Sequence, residues 1–88
     1  MRKDEDKMIK VINEQIAMLA AFQLDGTIMP VLFSWQGQKY RDFEVTATRT
    51  VPEGSFVKFY FDLKIDATTY EVYFYTKQSI WVLSKIHT

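Results

Sequence analysis

Eighty-eight residues with eleven basic and eleven acidic side chains predict one domain, residues 1–88, without the net charge that draws nucleic acid or an anionic membrane by electrostatics alone. Cysteine is absent, which excludes disulfides and thiolate metal sites and suits a reducing, cytoplasmic setting. A chain this short buries only about 60–65% of its unfolded surface, so its seven Phe, five Tyr and two Trp must carry the core or a partner must complete it.

In chain order, Met1 to Lys7 is mixed in charge and lacks the apolar stretch of a secretory signal. No apolar run approaches the roughly 20 residues that a membrane helix needs. Residues 4 to about 15 predict a helix, with Asp4 or Asp6 as its cap and Met8, Ile9, Val11, Ile12 and Ile16 as its apolar stripe. Ala17 to Ala21 are good helix formers, which allows a helix running to Leu24 with Gly26 as its C-cap. The rival reading, which we favour, makes residues 17–24 a strand and Asp25-Gly26 a two-residue hairpin turn. Its register sets Phe22 against Met29, Ala20 against Val31 and Met18 against Phe33.

Pro30 then requires an edge, a bulge or a strand start. Gln36-Gly37 is a second turn, followed by one long strand from Gln38 to Val51 and a loop at Pro52 to Ser55. Val57, Phe59, Phe61, Leu63 and Ile65 alternate with polar residues, the period of a half-buried strand. Two more strands follow, at residues 69–76 and 79–86. A four-residue loop at Asp66 to Thr69 sets Lys64 against Glu71; a two-residue loop at Asp66-Ala67 instead opposes Asp62 and Glu71, two like charges. Either loop, with a turn at Lys77-Gln78, pairs Phe74 with Trp81 and Val72 with Leu83 on the inner face.

The expected fold is therefore mainly β (α+β): an N-terminal helix and a six-stranded antiparallel meander over about residues 17–86, strongly curved or closed as a small barrel. Its outer face is too apolar for a sheet that faces water. Tyr60, Tyr73, Tyr75, Ile80 and Val82 call for a cover, and the helix face carrying Met8 and Ile12, or a second copy of the chain, is expected to supply it. These seven residues form the candidate interaction surface.

Asp25-Gly26, Pro30, Phe33, Trp35, Gly37 and Tyr40 make the pattern Asp-Gly-x3-Pro-x2-Phe-x-Trp-x-Gly-x2-Tyr, with Trp81 in a late strand. Over residues 18–86 it resembles a loosely defined group of small uncharacterised bacterial β-rich proteins. The resemblance implies the first hairpin and carries no site residues.

Chemistry has little foothold. The one histidine, His87, is expected to be a solvated tail residue. Asp42 and Glu44 share a strand face as the nearest thing to a carboxylate pair. Asp62 and Glu71 add no recognisable metal-ligand spacing to them. Gly26, Gly37 and Gly54 are isolated in turns and cradle no phosphate. The chain reads as no enzyme and as needing no cofactor. It reads as a protein-interaction or structural module that self-associates as a homodimer or takes a small protein partner. The alternative is a single-stranded nucleic-acid binder that stacks bases on Tyr60, Tyr73 and Tyr75 beside Lys58, Lys64 and Lys77. An interior of Phe59, Phe61, Phe74 and Trp81 leaves little room for a small ligand.

Overall fold

β-Branched and aromatic residues dominate the chain from Ile9 onward, and in the computed structural model, which describes residues 8–88, they form strands throughout. Seven strands follow one another: β1 (Ile9–Phe22), β2 (Ile28–Trp35), β3 (Gln38–Tyr40), β4 (Glu44–Glu53), β5 (Phe56–Ile65), β6 (Thr68–Tyr75) and β7 (Ile80–His87). They make one antiparallel sheet in the order β3-β2-β1-β7-β6-β5-β4.

The expected helix is the main correction. Residues 9–15 belong to β1, which pairs with β7 through Ile9–Ile16 and with β2 through Ala17–Phe22. The longer helix to Leu24 is likewise replaced by strand and turn, and the portion expected over residues 4–7 lies outside the described residues. A bulge interrupts the β1–β7 ladder: Ile12 and Asn13 together oppose Ser84, with Asn13 at φ 53°. Ile12, Ile16 and Met18 keep one inward parity, but Ile9 and Val11 are apolar and outward, and the two sets together read as a helical stripe. Among the described residues there are seven strands, not six.

The turns follow their local chemistry. Gln36 and Gly37 both take positive φ (52° and 75°) between the paired residues Trp35 and Gln38, as a type I′ turn requires. The first hairpin forms as favoured, but its loop has five residues, Gln23 to Thr27, between the paired Phe22 and Ile28. Asp25 Oδ1 accepts from the Thr27 N–H (3.0 Å) and the Thr27 hydroxyl (2.7 Å). Met18 pairs with Phe33 as expected, whereas a bulge at Val31 sets Ala20 against Pro30 and Phe22 against Ile28. A two-residue turn closes β5 on β6 with Asp66 at φ 54°, and Asp62 does oppose Glu71. That like-charge pair is tolerated because Glu71 also faces Lys85 and lies 4.0 Å from Arg49.

The long strand expected from Gln38 to Val51 is broken. Asp42, at φ 59°, turns the chain between β3 and β4, and these two strands become the opposite edges of the sheet. A flat sheet of seven strands would hold its edges about 29 Å apart. The four backbone steps from Tyr40 to Glu44 span at most about 14 Å. The sheet therefore curls until its edges approach, and irregularities in four of its ladders assist the bend. It stays open, with no ladder between β3 and β4.

The core lies inside the curl. Ile16, Phe33, Phe61, Leu63, Val72, Trp81 and Leu83 are its buried members, and the expected inner pairs Phe74–Trp81 and Val72–Leu83 are present. Phe33, fully buried, stacks on Tyr40 (4.8 Å, 9°) and meets Tyr70 edge-on at 5.7 Å and Phe43 at 6.0 Å. Phe43 lies in the short link between the sheet edges, so aromatic packing draws together what no ladder joins. Burial pushes the Tyr70 hydroxyl pKa upward, with Tyr40 adding to the effect. Trp35 donates its indole N–H to Glu14 Oε1 at 2.9 Å.

Candidate functional site

The strand parity of the last three strands puts Tyr60, Tyr73 and Val82 in one cross-strand row on the outer face. No helix covers them among the described residues, yet none of the five outer residues is fully exposed. Val82 is buried, and Tyr60, Tyr73, Tyr75 and Ile80 are half-buried. They shelter one another beneath long cationic side chains. The Tyr60 and Tyr73 rings lie 5.0 Å apart. The Arg49 guanidinium sits 4.1 Å over Tyr60, and the Lys58 ammonium lies 4.8 Å from Tyr73 and 5.4 Å from Tyr75. Such stems cover apolar surface while their charged ends stay wet. Burial works to lower the Lys58 pKa, but Tyr73, Glu53 and Tyr60 outweigh it and the net shift is upward; Glu53 is 3.6 Å away.

The remaining two candidates lie elsewhere. Ile12 packs against the core from inside the curl, and Met8 stands exposed just ahead of β1. The apolar surface that is left over is on the first hairpin. Of nine exposed large hydrophobics among the described residues, eight fall between Met8 and Val31: Met8, Ile9, Val11, Leu19, Phe22, Leu24, Met29 and Val31. Beyond the β1 bulge the outward positions Gln15, Ala17, Leu19 and Ala21, with Met29, Val31 and Ser34 on β2, carry no charge. A signal was available: Ile9, Val11 and Leu19 are large apolar residues at alternate positions to Ile12, Ile16 and Met18, so a strand reading of β1 leaves one set outside.

A second feature is a cleft of about 490 Å³ between the tip of the first hairpin and strands β4 to β6. Phe59, Phe61 and Phe74 form its floor and Phe22 its wall, and threonines 27, 48, 50 and 76 edge it. The interior expected to be filled by side chains is instead open at one end, because the sheet does not close.

The acidic residues do not converge. Asp42 lies in the link and Glu44 begins β4 opposite Lys64, so the two share no strand face. Among the described residues no group of three or more His, Asp or Glu is placed to hold a metal. His87 is not a loose tail residue; it pairs with Ile9 on one side and Thr69 on the other. No helix of the described residues is long and apolar enough to cross a membrane. No family model matches the chain, and no curated protein or solved structure proved similar to it.

Proposed function

We propose that this domain is a small protein-interaction module that self-associates through the outer face of its β1–β2 hairpin. One observation carries the reading: among the described residues, the exposed large hydrophobics Leu19, Met29 and Val31 stand together on that outer face. A solvated antiparallel sheet face is ordinarily polar, and natural sheets guard such surfaces with charge. Here Leu19, Met29 and Val31 stand among uncharged neighbours.

The lack of charge favours a second copy as the occupant. A two-fold interface brings each patch against a copy of itself, so any net charge it carried would meet charge of the same sign. This patch carries none. The first half of β1 adds an edge to the face, since Ile9–Ile16 pairs with β7 alone.

Sedimentation equilibrium tests the proposal. The wild-type chain is expected to dimerise in the micromolar range, and Leu19→Lys with Val31→Lys to return it to a monomer with an unchanged circular dichroism spectrum. A wild-type monomer at every concentration overturns the reading. Nucleic-acid binding draws less support, because Arg49 and Lys58 already lie against the tyrosine faces on which bases would stack.

A further inference from the structure

The inner face of the sheet is packed at one end and unfilled at the other. Around Phe33 the core is dry, with Phe33, Leu63, Val72 and Leu83 wholly shielded. Toward the hairpin tip the same face carries Phe59 and Phe74, only half-buried, and Phe22, which is 68% exposed. The change coincides with the end of β3. This strand pairs only with Phe33–Trp35, so among the described residues the stretch of β2 from Ile28 to Leu32 has no neighbour beyond it. β4 pairs with β5 alone. The sheet is thus left with a seam, and the cleft of about 490 Å³ lies within it, with Ile28 on one bank and Thr48 and Thr50 on the other.

We propose that this cleft is a binding site for an uncharged, largely apolar small molecule that carries a hydrogen-bonding group. Its volume falls within the range of small-molecule sites, about 300–1,000 Å³, and an aromatic floor with a few polar groups at the rim is their usual construction. The lining specifies neutrality. Among the described residues Arg49 is its only charged one, and that guanidinium is already committed to the Tyr60 ring at 4.1 Å and to Glu71 at 4.0 Å. An anion would have to compete with Glu71, and a cation would find no acidic partner.

The polar anchor follows by the same reasoning. The Thr76 hydroxyl is engaged with Val57, donating to its carbonyl at 3.0 Å and accepting from its N–H at 3.1 Å. The Thr27 hydroxyl is held by Asp25. Thr48 and Thr50 have no side-chain hydrogen bond among the described residues and point their face of β4 at Phe61 and Phe59. They offer the ligand a donor and an acceptor beside an apolar slot. This site is on the opposite face of the sheet from the proposed self-association surface and does not depend on it.

N-Phenyl-1-naphthylamine, neutral and fluorescent only in apolar surroundings, is the probe. Titration into the wild-type chain is expected to give saturable, one-to-one enhancement. Thr50→Trp, which fills the slot from an edge strand, should weaken binding by about tenfold or more, while Leu19→Lys leaves it unchanged. Should Thr50→Trp fail to fold, amide shifts of the wild-type chain decide: they should centre on Ile28, Thr48, Thr50 and Phe74. The proposal is overturned by the absence of saturable binding, by full binding in a folded Thr50→Trp, or by shifts centred on Leu19 and Val31. It also falls if an extended apolar peptide displaces the probe and protects the Thr48 and Thr50 amides from exchange, which would make the seam a strand-pairing site.

Discussion

Phe33 is one of the large side chains that are wholly buried. Its ring is wholly buried against Tyr40 and Phe43, at the end of β3 and in the link after it, and against Tyr70 of β6. Phe33→Ala should cost about 3–5 kcal/mol, read as a lower urea midpoint with little change in the slope. Asp25 acts locally and through charge. Its carboxylate is held below the usual aspartate range by the Thr27 hydroxyl and then by the Thr27 N–H. A folded-state pKa below the unfolded value contributes stability that is complete above ordinary aspartate titration and is lost as pH falls through the depressed value. The Thr27 amide resonance should therefore hold its position down to pH 4 and move upfield below it, with a midpoint under 3.8, the unperturbed value. In Asp25→Ala that movement should vanish.

At the scale of elements, bulges explain most of what the strands do. Asn13 sits at φ 53° within β1, a conformation that a short polar side chain tolerates and a β-branched one does not. Asn13→Val should cost about 1–2 kcal/mol, whereas Asn13→Gly should be nearly neutral; thermal melts of the two variants separate them. The two prolines lie where a strand lacks a neighbour. Pro30 is on the uncovered half of β2 and Pro52 on β4. A residue without an N–H leaves nothing unpaired there and discourages edge-to-edge pairing.

For the whole molecule, an open curl held by aromatics differs from a closed barrel held by hydrogen bonds. The edges β3 and β4 are tied by a three-residue link and by Phe43 against Phe33. Phe43→Ala should loosen this tie. Hydrogen exchange at β3 and at the start of β4 should quicken, while protection across β5, β6 and β7 persists, because those strands are laddered on both sides. Uniform loss of protection would mean that the link supports the whole fold. The same openness accounts for the seam and its cleft, which a closed barrel of this size would fill with side chains.

Much of this architecture was legible in the residues themselves. The alternation from Val57 to Ile65 determined β5 and its inner face, and Gln36-Gly37 determined its turn, since period and turn chemistry act over a few residues. Composition established an aromatic core without disulfides. The strand nature of residues 9–16 was not legible, because outward Ile9 and Val11 with inward Ile12 and Ile16 fit a helical stripe as well, and the partner strand β7 lies some seventy positions away. The order of the strands also came only from the tertiary structure. Nothing near Asp42 announces that the strands flanking it become opposite edges, for that follows from β7 returning to pair with β1. The leftover apolar surface moved with them. Side-chain parity tells which residues share a face, but whether that face meets water depends on how far the whole sheet curls, and that is decided by contacts between distant strands.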